Sequence, residues 1–205
     1  MKLKVCGMKF QENVEQVLAL GPDYLGFIFY APSKRFMEES LDKTWVASIE
    51  GSEKVGVFVD EEIEEVKQRV QEYQLDLVQL HGKESSTYCE EISRVGVKVI
   101  KAFSIGKEGF DFGLLESYEK VVDYFLFDTK GKHPGGNGIT FNWNILKQYQ
   151  LEIPFWLSGG ITLEHVDAIH AIQHPRLMAI DVNSGFETAP GRKQIDLLKT
   201  LTDRL

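Results

Sequence analysis

Trp156-Leu157-Ser158-Gly159-Gly160 is a short apolar run that stops abruptly in small residues and then enters a helical pattern. Asp181-Val182-Asn183-Ser184-Gly185 repeats the form further along. Small residues at such a junction let backbone N–H groups converge on an anion at a helix N-terminus. Two such loops in succession, at the end of an alternating strand–helix chain, indicate the phosphate grip of a TIM barrel, built after strands 7 and 8. The expectation is a chain that binds a phosphorylated small molecule, with Gly159, Gly160, Ser184 and Gly185 around the phosphate.

Upstream of these loops the same alternation continues. Apolar runs of strand length are Leu3–Cys6, Tyr24–Phe29, Lys54–Val59, Leu75–Leu80, Lys98–Phe103 and Tyr124–Phe127, followed by Pro154–Leu157 and Leu177–Val182. Their nearly continuous apolarity and β-branched content fit parallel strands buried on both faces. Helical spacing separates them. In Glu61–Tyr73, residues Ile63, Val66, Val70 and Tyr73 form one apolar stripe, with Asp60 as the expected N-cap. Thr162–Ile172 places Leu163, Val166, Ile169 and Ala171 similarly, capped by Thr162, and Ile195–Leu205 closes the chain. Eight βα units without a linker predict an α/β fold: one compact (β/α)8 TIM barrel over residues 1–205. An open doubly wound sheet is the competitor, and no GxGxxG follows strand 1. The long irregular stretch Lys130–Thr140 is a lid or binding-loop candidate.

Composition narrows the function. The 205 residues carry a net charge of -8, 43% apolar and 26% charged residues. An acidic chain without a Lys/Arg cluster argues against a nucleic-acid surface. It also makes local cations necessary where an anionic ligand binds. No apolar run suggests a membrane span, no signal peptide is expected, and two cysteines suit a reducing, cytoplasmic setting. No metal-ligand spacing occurs, and no cofactor is called for.

In such barrels the chemistry sits at the C-terminal strand ends. Strand 1 ends Val5-Cys6-Gly7. Cys6 reads either as a buried strand cysteine or as a thiol at the barrel mouth, suited to removing a moderately acidic C–H proton. Strand 6 ends Phe127-Asp128-Thr129; Asp128 is a cap, an ion-pair partner or a general acid. After strand 2, Arg35 is a surface cation or a bidentate clamp on a substrate carboxylate. His81, closing strand 4, is an orienting or packed residue or a substrate contact. Gly135-Gly136-Asn137-Gly138 either cradles an anion or supplies flexibility, Phe103 is core or pocket wall, and Cys89 is structural.

Together these phrases resemble the phosphoribosylanthranilate isomerase family, the cofactor-free isomerases of tryptophan biosynthesis. The resemblance rests on Lys4-Val5-Cys6-Gly7, Gly26-Phe27-Ile28-Phe29-Tyr30 with Ser33-Lys34-Arg35, Val55–Asp60, Val78-Gln79-Leu80-His81-Gly82, Phe127-Asp128-Thr129 and Gly135–Gly138. Leu157-Ser158-Gly159-Gly160 and Asp181–Glu187 with Pro190-Gly191 complete it. It implies Cys6 as general base, Asp128 as general acid, Arg35 as the holder of the anthranilate carboxylate and Asp181 as a ribose-side residue. Asn183 departs from it, since the family usually shows serine there. The implied reaction is an Amadori rearrangement of an aminoaldose phosphate to an aminoketose phosphate, by a monomer or homodimer. Two alternatives stand beside it. An indole-glycerol-phosphate synthase-like barrel would need a lysine acid, for which Lys101 is the candidate. A non-catalytic barrel binding a phosphorylated ligand would keep the glycine loops but need neither Cys6 nor Asp128.

Overall fold

The computed structural model describes residues 1–129 and 140–205. The expected lid stretch, Thr140 apart, and the Gly135–Gly138 phrase lie outside the described residues. Eight parallel strands close into one barrel in sequence order: β1 Lys2–Cys6, β2 Tyr24–Ile28, β3 Glu53–Phe58, β4 Leu77–Leu80, β5 Lys98–Ile105, β6 Tyr124–Thr129, β7 Phe155–Leu157 and β8 Leu177–Val182. Strand β1 pairs with β2 on one side and with β8 on the other, which completes the ring. All eight strands fall on the apolar runs, because strands buried on both faces must be apolar nearly throughout.

Alternation decides which side chains enter the barrel. On β1, Leu3 and Val5 pack outward against the helices, whereas Lys4 and Cys6 point inward. The floor of the interior is an apolar cluster that includes Tyr24, Val55, Leu77, Ile100, Leu126 and Trp156. The Tyr24 and Trp156 rings lie 4.5 Å apart between centroids. Gly26 has no side chain for a steric reason: a Cβ there would lie 2.7 Å from Cys6 Sγ and 2.9 Å from Lys4 Cε.

The helical layer is lean. It comprises α1 Gln11–Leu18, α2 Lys43–Ala47, α3 Ile63–Tyr73, α4 Ser86–Ser93, α5 Val166–His170 and α6 Ile195–Thr202. After β5 and β6 the connections are 3-10 helices, Phe112–Tyr118 and Trp143–Gln148. Cys89 is fully buried on α4, and Phe103 packs on Phe110, Tyr118 and Phe125. Two local expectations are corrected. The cap of α3 is Glu62, not Asp60. Asp60 instead takes φ +50° and accepts from Lys83 N, because its carboxylate fixes the loop after β4. Ala171 is exposed, so the stripe of α5 ends at Ile169. Thr162 does cap its segment, paired with His165.

An unexpected hairpin follows β8: β9 Glu187–Ala189 pairs antiparallel with β10 Arg192–Lys193. Among the described residues no helix is long and apolar enough to cross a membrane.

Candidate active site

The mouth of the barrel opens into a cavity of ≈ 570 Å³ lined by residues from the strand ends, among them Cys6, Arg35, His81, Asp128 and Asp181. The structure therefore gathers Cys6, Arg35, His81, Asp128, Asp181 and the four phosphate-loop residues around one space, whereas Lys101 does not line it.

Its base is a directional hydrogen-bond chain. Lys4 Nζ donates to Asp181 Oδ2 at 2.9 Å and to Gln79 Oε1 at 2.5 Å. An ammonium only donates, so the Gln79 oxygen must face Lys4 and its amide nitrogen must face His81. That nitrogen lies 2.8 Å from His81 Nδ1, which therefore accepts. His81 Nε2 then carries the ring hydrogen and donates to Asp128 Oδ2 at 3.2 Å. Thr129 N donates to Asp128 Oδ1 at 2.8 Å. The chain orients Asp128 by two contacts and fixes the histidine tautomer.

Cys6 stands on the inward face directly above Lys4. Burial is the largest influence on its thiol and pushes it above the ordinary value; Lys4 pulls it back and Asp181 adds to the rise. Burial also pushes the Asp181 carboxyl up, with Lys4 opposing. For Lys4, burial acts downward, but Asp181 and Cys6 outweigh it and hold the ammonium above the usual lysine range. Asp181 Oδ1 is buried with no hydrogen-bond partner among the described residues. A buried acceptor left unpaired costs about 1–3 kcal/mol, which marks this oxygen as a place for a ligand donor.

Arg35 arrives from the loop after β2 and folds over Gly7, where a Cβ would lie 2.7 Å from Arg35 Cδ. Its guanidinium is held by Glu187: Nε donates at 2.9 and 3.0 Å and Nη2 at 2.6 Å. Glu187 also accepts from Lys193 Nζ at 2.6 Å and Gly191 N at 3.0 Å. Burial pushes the Glu187 carboxyl up, yet the Arg35 and Lys193 contacts prevail and hold it below the usual carboxylate value. Burial draws the Lys193 ammonium below its ordinary value against the pull of Glu187. Lys193 Nζ further donates to Asn183 Oδ1 at 2.7 Å, so the Asn183 amide nitrogen is turned the other way.

The two glycine loops meet beside Asp128. Gly159 and Gly160 take φ +95° and +65°. A Cβ on Gly159 would lie 2.3 Å from Thr129 Oγ1 and 2.7 Å from Asp128 Oδ1, so this glycine lets the loop close onto strand β6. A Cβ on Gly185 would lie 2.3 Å from Ile161 O, which brings the second loop against the first. The N–H groups of Gly159 and Gly160 donate to no described residue. The first loop leads into the 3-10 turn Leu163–His165, which continues directly into the short helix α5, whereas Ser184-Gly185 themselves open the 3-10 turn Ser184–Phe186. At Gly159-Gly160 an anion would meet successive N–H groups in a left-handed loop, and at Ser184-Gly185 the first N–H groups of a short 3-10 turn.

Sequence reasoning missed Lys4, Gln79, Glu187 and Lys193. Lys4 was within reach, because it lies two residues from Cys6 and must share its face. Nothing local marks Glu187 as the partner of Arg35.

The fold and this cavity define a class, a (β/α)8-barrel enzyme whose chemistry-bearing side chains stand at the C-terminal strand ends. A family model described as N-(5'-phosphoribosyl)anthranilate isomerase matches residues 3–204. The chain belongs to that family. An N-(5'-phosphoribosyl)anthranilate isomerase from Parabacteroides distasonis is 45% identical over 207 residues, covering 100% of this chain and 93% of the relative. The crystal structure of phosphoribosyl anthranilate isomerase from Thermus thermophilus superimposes with TM-score 0.87 at 29% identity, covering 100% and 98% of the two chains. A further phosphoribosyl anthranilate isomerase structure, TM-score 0.80 and 29% identical with 100% and 97% covered, is a complex with reduced 1-(o-carboxyphenylamino)-1-deoxyribulose 5-phosphate.

Proposed function

We propose that this chain isomerises N-(5'-phosphoribosyl)anthranilate to 1-(2-carboxyphenylamino)-1-deoxyribulose 5-phosphate, a step of tryptophan biosynthesis, by general acid–base catalysis. The observation that carries the mechanism is a thiol and a carboxyl, Cys6 and Asp128, facing one cavity from strands three apart in the ring. Asp128 protonates the furanose ring oxygen, and the C1'–O bond breaks to leave an iminium. The iminium acidifies the neighbouring C–H, so Cys6 thiolate suffices to remove the C2' proton. The resulting enolamine gains a proton at C1' and loses one from its hydroxyl, which gives the ketone.

The remaining groups hold the substrate. Asp181 Oδ1, buried and unpartnered, accepts from a ribose hydroxyl. Arg35 takes the anthranilate carboxylate. Backbone N–H groups of Gly159-Gly160 and Ser184-Gly185 take the phosphate. Fixing both anionic groups confines the reacting carbons between acid and base, where positioning lowers the barrier. The setting we propose is the cytoplasm, since both cysteines are buried free thiols.

The synthase-like alternative loses its acid. Lys101 Nζ is committed to Glu84 at 3.0 Å and to the Leu80, Gly82 and Ala102 carbonyls, and it does not line the cavity. The binding-only alternative gives no account of the chain of contacts that orients Asp128.

The experiment is turnover of phosphoribosylanthranilate by the purified chain, with inorganic sulfate as competitor. We expect turnover and competitive inhibition at millimolar sulfate. No turnover overturns the activity. A sulfate-soaked crystal at inhibiting concentration without an anion between the two glycine loops overturns the phosphate placement.

A further inference from the structure

Two cations and one carboxylate meet behind the cavity wall. Glu187 receives Arg35 through both oxygens and Lys193 through Oε1, while Lys193, on the second strand of the hairpin, is itself buried. Only Arg35 of the three lines the cavity. If Arg35 and Glu187 stood alone, the carboxylate would cancel the guanidinium, and an incoming anion would meet a neutral pair. Lys193 changes that balance. With it the cluster carries two positive charges against one negative, a surplus of one, and the cavity-facing bearer of that surplus is Arg35. The other cation lining the cavity, Lys34, is exposed, where water and salt screen it. The surplus inside the wall is screened far less.

We propose that Lys193 is a positioning residue that sets the charge of the carboxylate grip: by sharing Glu187 with Arg35, it leaves the guanidinium one unneutralised charge for the aryl carboxylate of the substrate. Glu187 fixes the direction of the guanidinium through three hydrogen bonds, and Lys193 prevents that fixation from neutralising it. Lys193 also anchors Asn183 Oδ1, so the same ammonium orients a side chain that does line the cavity.

The inference rests on the reading of Arg35 as the carboxylate grip, and the test separates the two. The quantity measured is the ratio of kcat/KM for phosphoribosylanthranilate to kcat/KM for the aniline analogue, which lacks the carboxylate. Folding is checked in parallel by melting. Lys193→Met is expected to lower the ratio about tenfold, through KM rather than kcat, the low end for a charge-assisted contact. Adding Glu187→Gln to it removes the cancelling charge while keeping an acceptor for Arg35, so the ratio recovers in the double variant. A merely structural role predicts the opposite, a double variant no better than the single. If Lys193→Met does not fold, Lys193→Gln keeps a donor without the charge and carries the same expectation. An unchanged ratio in the single variant, or no recovery in the double, overturns the proposal. Arg35→Ala run alongside must itself lower the ratio; if it does not, the grip is misassigned and both readings fall.

Discussion

Tyr24, Leu77, Ile100, Leu126 and Trp156 fill the floor of the barrel with apolar surface, whereas Lys4, Cys6, Gln79, His81, Asp128 and Asp181 fill the half above with polar groups. The same strands and the same inward face supply both halves. Leu126 and Asp128 are neighbours on that face of β6, and Leu77, Gln79 and His81 on that of β4 and its end. The floor is held by packing, which is non-directional and tolerates several solutions of similar volume. The mouth is held by hydrogen bonds that must meet at about 3 Å and in the right direction. Stability therefore concentrates below and chemistry above, and each half should fail in its own way.

The sharpest break is Cys6→Ala. With Cys6 as the base we propose, its loss should lower kcat by about 10²- to 10⁴-fold, while the melting temperature stays near wild type because little volume is removed. Near wild-type turnover of the folded variant would remove Cys6 from the mechanism. Because burial raises its thiol, wild-type kcat/KM should climb with pH through neutrality as thiolate forms. A profile flat from pH 6 to 9 would contradict this.

Trp156→Ala is the counterpart below. It opens a cavity between Tyr24 and Tyr124 and should cost about 3–5 kcal/mol of stability. Turnover per folded molecule should be kept, since Trp156 does not line the cavity. Trp156→Phe keeps most of the packing and removes an indole N–H that has no partner among the described residues. Its cost should be under about 1.5 kcal/mol. Chemical denaturation and an activity titration measure both. A Phe variant as damaged as the Ala variant would mean the floor is not held by packing.

The gentlest distinction is pH. Glu187 is held below its ordinary value, so its contribution to stability is present above that value and is lost as pH falls through the depressed one. Glu187→Gln should therefore lower stability by about 1–3 kcal/mol at neutral pH, with the gap to wild type closing on acidification. The gap for Trp156→Ala should not change with pH over the same range. Melting curves between pH 7 and 3 separate the two, and parallel behaviour would erase the contrast.

What the sequence by itself determined was whatever repeats or terminates locally. Eight apolar runs set the count of barrel strands, and the small residues Gly159-Gly160 and Ser184-Gly185 marked where chain direction changes. Cys6 and Asp128 were visible because each directly ends an apolar run, and a strand end in a closed barrel faces the mouth. Helix extents were less legible: the short 3-10 connections after β5 and β6 bury their few apolar residues without a repeating stripe. The partners were not legible at all. Arg35 meets Glu187 across 152 positions, Lys4 meets Gln79 across 75 and Asp181 across 177. An acidic chain offers many carboxylates to each cation, and the period of a strand says which face a side chain takes but not which group it finds there. Closure of the ring made that choice, because only closure sets β1 beside β8 and turns the end of β4 toward β6 at hydrogen-bonding distance.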